Sequence, residues 1–90
     1  MQTSHACRPT LHLNGVVRRV DPVGREIEVC SGGVVFNFDA PPDCVVTLRG
    51  ERVKLRLVQP RDRVRVAYAE SQGRLTARTV DVQPGDPPLG

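Results

Sequence analysis

The sequence predicts an all-β fold, a small antiparallel barrel of about six to seven short strands, OB-like or SH3-like, with no significant helix. From position 11 to 82, short alternating apolar and polar runs are separated by Gly, Pro and Asp about every ten residues, a spacing typical of sandwiches and barrels. No segment has the periodicity of an amphipathic helix. The chain of 90 residues is short for an immunoglobulin sandwich and lacks its Cys, Trp, Cys arrangement.

We expect the barrel domain to span residues 11–83, between a mobile N-terminal arm at 1–10 and a disordered Pro/Gly tail at 84–90. The sequence has no Trp, one Tyr and two Phe, so the core must be built mainly from Val and Leu. Such compact side chains, Val above all, favour strands. A chain of this length buries only ~60% of the surface that its unfolded form exposes, so we expect a thin core.

The dipeptide Gly32-Gly33 predicts a two-residue hairpin turn between two apolar runs. Because a slip of one residue would invert every side chain, the register can be tested against the faces that it creates. An apolar face results on one side and a mixed face on the other. The apolar pairs are Val29 with Phe36 and Ile27 with Phe38, and the outer pairs are Cys30 with Val35 and Glu28 with Asn37.

The dipeptide Gly50-Glu51 predicts a second hairpin, through a type II′ turn that has Gly at its first central position. This register also separates an inner from an outer face. The inner pairs are Leu48 with Val53, Val46 with Leu55 and Cys44 with Leu57. The outer pairs are Arg49 with Arg52, Thr47 with Lys54 and Val45 with Arg56.

The sequence of the last third of the barrel predicts two strands joined by a turn at residues 71–73. Before the turn, the inward set is Val64, Val66 and Tyr68. After the turn, the inward set changes parity, from Leu75 and Ala77 to Val80 and Val82. A β-bulge near Arg78 or Thr79 would absorb that change and bend the strand. Residues 21–24 and 60–62 have the composition of tight turns.

Strand and turn residues recur in five runs: Gly15-Val16-Val17-Arg18-Arg19-Val20-Asp21, Ile27-Glu28-Val29, Phe36-Asn37-Phe38, Asp62-Arg63-Val64-Arg65-Val66-Ala67-Tyr68 and Ala77-Arg78-Thr79-Val80-Asp81-Val82. Over residues 14–82 this succession resembles uncharacterised bacterial small-barrel domains of the form G-x-V-x-x-V-D, I-x-V, F-x-V, G-D-x-V-x-V-x-Y, A-x-x-V-x-V. Arg61 departs from that form, which has Gly before the Asp. The resemblance implies an OB-like barrel and carries no assigned activity.

The strands are also similar to those of the OB-like periplasmic copper chaperones of efflux systems. That family binds its metal through His, Met and a Trp lid. The present sequence has no Trp, and its only Met is Met1. We therefore do not transfer copper binding from this resemblance, and we expect no cofactor.

A candidate metal site consists of His5, Cys7 and His12, with Cys30 as the candidate fourth ligand. Zinc requires four ligands in tetrahedral geometry, and the closely spaced Cys or His pairs of structural zinc sites are missing. The predicted register places Cys44 in the core and Cys30 outside, so these two do not join one site. The alternative is an N-terminal arm whose His and Cys bind no metal.

Catalytic motifs are absent from the sequence. Its two His residues both lie in the N-terminal segment, and no GxSxG, HExxH or P-loop pattern occurs. The carboxylates Glu26, Glu28 and Asp39 fall on outward strand positions or at a strand end, where solvation leaves little reason for shifted pKa values. We therefore expect that the protein is not an enzyme.

The cellular compartment is expected to be the cytoplasm. No apolar run approaches the ~20 residues of a transmembrane helix, and the first residues lack the basic and apolar regions of a signal peptide. Cys7, Cys30 and Cys44 form neither a CxxC pair nor an even set, which favours reduced thiols. A signal peptide that has already been removed is the alternative.

The basic residues suggest nucleic-acid binding. All but one of them are Arg, and the formal net charge is +3. The candidate face consists of Arg49, Arg52, Lys54, Arg56, Arg63 and Arg65. Single-strand binders also stack bases on exposed aromatic rings. Here Phe36, Phe38 and Tyr68 all register inward, so affinity would depend on phosphate contacts alone.

Protein association is the first functional hypothesis, with weak nucleic-acid binding as the alternative and metal handling third. A small barrel leaves strand edges that can accept a strand from another chain or from a second copy. Outward Val35 and Val45 would favour such contacts. If the basic residues are scattered and paired with carboxylates, the protein-partner hypothesis gains. If they converge on one patch, the nucleic-acid hypothesis gains.

Overall fold

The computed structural model describes residues 10–83, which form seven strands and one short 3-10 helix. The predicted arm and tail lie outside the described residues, apart from Thr10. The elements are β1 (Leu11–Asp21), β2 (Glu26–Ser31), β3 (Val34–Asp39), β4 (Val45–Leu48), β5 (Glu51–Val53), η1 (Leu55–Leu57), β6 (Arg63–Ser71) and β7 (Arg74–Gln83). The all-β prediction is confirmed, and the strand number lies within the predicted range.

The strands follow the order β3-β2-β1-β6-β7-β4-β5, and an additional parallel pairing joins β3 to β7. The strands β1, β2, β3, β7 and β6 therefore close on themselves as a five-stranded barrel. Strands β4 and β5 extend from the outer edge of β7, where β4 runs parallel to β7. This closed arrangement is OB-like, which decides between the two barrel types that the sequence left open.

The hairpin formed by β2 and β3 has the register that the sequence predicts. Ile27 pairs with Phe38, Val29 with Phe36, and Cys30 with Val35. Gly32 and Gly33 have φ values of 60° and 82°, which suits glycine in a two-residue turn of type I′. The predicted turn and both predicted faces are confirmed.

The register predicted for the β4–β5 hairpin is wrong. Leu48 pairs with Glu51, Thr47 with Arg52, and Val46 with Val53, so the turn residues are Arg49 and Gly50. Both have positive φ, 55° and 83°, which makes the turn type I′ rather than II′. The predicted like-charge pair of Arg49 with Arg52 therefore does not exist.

The polypeptide after β5 also differs from the prediction. Strand β5 ends at Val53, and residues Leu55–Leu57 form η1 instead of continuing the ladder. Leu55 is buried, but Leu57 is 54% exposed and lies outside the core. The predicted pairs of Val46 with Leu55 and Cys44 with Leu57 are consequently absent.

Two bulges bend the barrel strands. In β7, Ala67 of β6 pairs with Thr79 and Tyr68 pairs with Ala77, which leaves Arg78 as the extra residue. This confirms the bulge predicted near Arg78 or Thr79. A second bulge, which the sequence analysis did not predict, leaves Arg18 unpaired in β1.

The core lies inside the barrel and consists mainly of small aliphatic side chains, as composition predicted. Phe38 is its largest fully buried residue, and its ring contacts Tyr68 edge to face with 5.0 Å between centroids. Phe36 and Tyr68 are partly buried and pack against the core. The buried set is Val17, Ile27, Val29, Phe38, Ala40, Cys44, Val46, Leu55, Val58, Val64, Val66, Ala77, Val80 and Val82.

Candidate functional site

Strand β3 has a free edge along most of its length. Of its residues, only Asp39 pairs with β7, through Thr76, whereas residues 34–38 have a partner only on the β2 side. In an antiparallel ladder with a two-residue turn, Val34, Phe36 and Phe38 exchange hydrogen bonds with β2. The N–H and C=O groups of Val35 and Asn37 therefore point away from β2, toward the free edge.

The side chains at this edge are exposed. Val34 is 55% exposed and Val35 is 40% exposed, and Asn37 is also classed with the exposed residues. Val35 pairs with half-buried Cys30, and Cys30 pairs with Val16 of β1, which is 40% exposed. An apolar row thus crosses the outer face of three strands and ends at the free edge.

The six basic residues proposed from sequence do not form one patch. Arg65 pairs with Asp81, Asp81 pairs with Thr47, and Thr47 pairs with Arg52. The Thr47 hydroxyl donates a 2.9 Å hydrogen bond to the Asp81 carboxylate, which lies between the two arginine positions. Arg49 lines a different groove together with Glu51 and Asp62, and Arg63 lies at the start of β6 opposite Gln83.

Three of the six, Arg52, Lys54 and Arg56, line one groove of about 360 Å³ together with Arg25. The groove lies between the β1–β2 turn and the β5–η1 segment. Its other lining residues are Pro22, Pro42, Cys44, Val46, Val53 and Leu55. No carboxylate lines this groove, in contrast to the groove that Arg49 lines.

Arg25 is held in place by the backbone. Its φ is 58°, its Nε donates a 2.7 Å hydrogen bond to the Ala40 carbonyl, and its Nη2 donates one of 3.0 Å to the Pro41 carbonyl. In return, the Ala40 N–H donates to the Arg25 carbonyl at 2.8 Å. These contacts fix the guanidinium group at the groove wall.

Cys44 is a buried thiol at that wall. Burial raises the pKa of Cys44; the nearby Arg25 charge opposes this rise and Asp43 adds to it. The net direction keeps Cys44 protonated at neutral pH, so the group is not a ready nucleophile. Cys30 and Cys44 are both free, and the predicted placement of Cys44 in the core is confirmed.

The candidate metal ligands are not brought together in the described part of the chain. His12 is exposed in β1, opposite Ala67. His5 and Cys7 lie outside the described residues. Between residues 10 and 83, no three side chains of His, Cys, Asp or Glu form a group that could hold a metal ion.

The candidate carboxylates have structural partners or face solvent. Glu28 forms a 3.3 Å ion pair with Arg19, and Asp39 forms one of 2.9 Å with Arg74. Glu26 is exposed at the start of β2.

Within residues 10–83, no helix has the length and apolar character needed to cross a membrane.

The closed barrel with its appended hairpin defines a small OB-like β-barrel protein. No family model matches the chain, and no curated protein is significantly similar to it. Solved structures with the same fold include apo-CusF residues 6–88 from Escherichia coli, which is 14% identical with a TM-score of 0.70. That alignment covers 93% of this chain and 99% of the CusF chain.

Two silver complexes of CusF give the same result. The Escherichia coli CusF–Ag(I) structure of residues 10–88 is 12% identical with a TM-score of 0.70, covering 86% of this chain and 95% of that chain. A second Ag(I)CusF crystal structure is 12% identical with a TM-score of 0.64, covering 82% and 97%. At this identity, the comparisons establish the shared fold.

The sequence analysis missed two features, the free edge of β3 and the position of Arg25 in the basic groove. The free edge of β3 depends on which strand closes the barrel, which alternation of residues does not reveal. The place of Arg25 beside Arg52, Lys54 and Arg56 joins positions about thirty residues apart. The one local signal for Arg25 was its position directly after the Asp21-Pro22-Val23-Gly24 turn.

Proposed function

We propose that this barrel is a non-enzymatic binding module that accepts an extended segment of a partner protein on the free edge of β3. The observation that carries the proposal is the unpaired edge at residues 34–38, with the outward backbone groups of Val35 and Asn37. Exposed Val34 and Val35 add apolar contact next to those groups. Added strands gain affinity from main-chain hydrogen bonds and specificity from alternate side chains.

The distribution of basic residues supports this proposal over nucleic-acid binding. Asp81 interrupts the row between Arg65 and Arg52, and the residues of the set line separate grooves. The three aromatic rings of the chain pack on or within the core, so they offer no stacking platform for bases.

Metal handling is the second candidate, because CusF, which shares this fold, has been solved with Ag(I) and, as a variant, with Cu(II). The present chain has no Trp, and its single Met is Met1. The thiol of Cys30 and the imidazole of His12 are accessible on the described strands, and both are ligand types that these metals bind. A complete site would also need His5 and Cys7. Metal analysis of protein purified without a His tag tests this candidate, and a stoichiometric ion would favour it over our proposal.

The edge proposal is tested with peptides selected from a displayed random library and titrated into ¹⁵N-labelled protein. We expect the largest amide shifts in β3. Asn37→Pro removes one outward N–H while leaving the β2–β3 ladder intact, and it should weaken peptide binding at least about tenfold, the equivalent of one lost hydrogen bond. Asn37→Ala is the matched control, because it keeps that N–H, and it should bind nearly as the parent protein does.

Three outcomes would contradict the proposal. One is that no selected peptide binds, and another is that the shifts lie away from β3 or survive Asn37→Pro. The third is a dimer in sedimentation equilibrium that Asn37→Pro dissociates, because the edge would then serve a second copy of this chain.

A further inference from the structure

The groove between the β1–β2 turn and the β5–η1 segment concentrates positive charge. Four cationic residues line it, Arg25, Arg52, Lys54 and Arg56, and no Asp or Glu does. Like charges gathered in one concave site repel each other, and a bound anion would relieve that repulsion. Elsewhere on the outer surface, Arg19 and Arg74 each pair with a carboxylate.

The donors of this groove are available. The side chains of Arg52, Lys54 and Arg56 are exposed, and they have no hydrogen bond or ion pair within the described part of the chain. In the observed register Arg52 lies opposite Thr47 on β4, whose hydroxyl donates its hydrogen bond to Asp81. Each side chain can therefore turn toward a ligand without breaking an existing contact.

Arg25 supplies the fixed part of the site. A guanidinium group has five N–H donors, and the contacts with the Ala40 and Pro41 carbonyls use two of them. The remaining donors are held at the groove wall in a defined orientation, so the entropy cost of ordering that side chain has already been met by folding. A fixed donor with three exposed cations around it is a suitable arrangement for capturing an anion.

The chemistry of the lining indicates the class of anion. Guanidinium groups bind phosphoryl oxygens through two parallel N–H donors, and Lys adds a compact charge. The volume of about 360 Å³ is at the lower end of small-molecule sites. Val46, Val53 and Leu55 on the same wall would contact an apolar or ring portion of a larger ligand.

We infer that this groove, lined by Arg25, Arg52, Lys54 and Arg56, is a binding site for the phosphoryl groups of a small polyanionic ligand. It is separate from the β3 edge, so it extends the proposed function without depending on it. The same phosphoryl chemistry is also present in a nucleic-acid strand. The experiment therefore compares two probes, inorganic pyrophosphate and hexathymidylate, at low salt.

The experiment follows the arginine Nε–H and backbone amide signals of labelled protein during each titration. We expect saturable shifts with pyrophosphate at Arg25, Arg52 and Arg56. The double variant Arg52→Gln with Arg56→Gln should weaken pyrophosphate binding at least about tenfold, since each lost charge-assisted hydrogen bond alone is worth that much. Arg18→Gln with Arg78→Gln is the matched control, because it removes the same charge from two exposed bulge positions outside the groove.

The control variant should bind pyrophosphate within about twofold of the parent protein. Equal weakening in both double variants would overturn the inference, because binding would then follow net charge. No saturable shift at the groove would overturn it as well, and this result needs no variant to fold. Binding of hexathymidylate in the absence of pyrophosphate binding would also overturn it in favour of a strand ligand, whereas shared shifts at the groove with both probes would support it.

Discussion

The hairpins β2–β3 and β4–β5 both reverse through two residues of positive φ, yet they differ in how their register is specified. In β2–β3, six residue pairs separate a buried face from an outer face, and both turn residues are glycine. In β4–β5, three pairs follow a turn in which Arg49 has a φ of 55°. The register of β2–β3 is determined by burial over its full length. The register of β4–β5 depends on its turn, on the pairing of β4 with β7 and on the start of η1 after β5.

The largest expected effect tests whether burial determines the first hairpin. Phe38→Ala empties the volume of the largest fully buried side chain and removes its edge contact with Tyr68. We expect a loss of about 3–5 kcal/mol in the free energy of unfolding, a large part of the stability of a domain this small. Urea unfolding followed by circular dichroism measures this loss.

The control for that prediction is Val53→Ala in the second hairpin, where Val53 is only partly buried. We expect a loss of about 1 kcal/mol there. Equal losses at the two positions would mean that both hairpins depend on burial to the same extent, and the contrast drawn above would fail.

The turn of the second hairpin gives a smaller effect of opposite sign. Arg49 occupies the left-handed region, which costs a residue with a long side chain about 1 kcal/mol and which Asn tolerates. Arg49→Asn creates the Asn-Gly pair favoured in type I′ turns, and it should raise the free energy of unfolding by about 0.5–1 kcal/mol. Thermal unfolding at fixed scan rate detects the change.

A matched control uses the same replacement three residues further on. Arg52→Asn lies within β5, where Asn has low strand propensity, and it should leave stability unchanged or slightly reduced. If Arg49→Asn also reduces stability, the type I′ assignment of this turn is wrong.

The smallest expected effect concerns the two free thiols, Cys30 in β2 and Cys44 just before β4. Burial raises the pKa of Cys44 before β4, so the folded protein holds that proton at pH values where the unfolded chain releases it. The contribution of this proton to the free energy of unfolding is present in full below the ordinary thiol pKa of about 8.5. It decreases as pH rises above that value, because the unfolded chain then releases the proton first. Cys44→Ala should therefore flatten the decline in unfolding free energy between neutral and alkaline pH.

Cys30→Ala is the control for this comparison, because it removes the half-buried thiol of β2 and leaves Cys44 in place. The alkaline decline should persist in that variant. A decline that disappears with Cys30→Ala and remains with Cys44→Ala would reverse the assignment.

The sequence was sufficient to predict the barrel, the β2–β3 register and the Arg78 bulge because each follows from which side chains must be buried. It was insufficient for β4–β5, since a shift of two residues keeps every side chain on its own face. Val46 and Val53 thus remain on one side in both registers, and only their partners change. Alternation detects a change of face and does not detect a change of partner.

The candidate sites were less predictable than the fold for a related reason. The sequence identified Arg52, Lys54 and Arg56 but assigned them to a flat outer face with Arg63 and Arg65. It is the end of β5 at Val53 and the turn of η1 that bring these three beside Arg25. The free edge of β3 likewise follows from the single ladder pair between β3 and β7, which no local pattern predicts.

That single ladder pair, Asp39 with Thr76, also bears on how the barrel would exchange its amide protons. Four of the strand junctions are extended ladders, whereas this junction has one residue pair and an exposed ion pair, which contributes little in solvent. The wall can therefore part along this line while the other junctions stay intact. We therefore expect amides beside Asp39 to exchange through that local opening, and those of Ile27 and Val66 to exchange only when the whole domain unfolds, which native-state hydrogen exchange would measure.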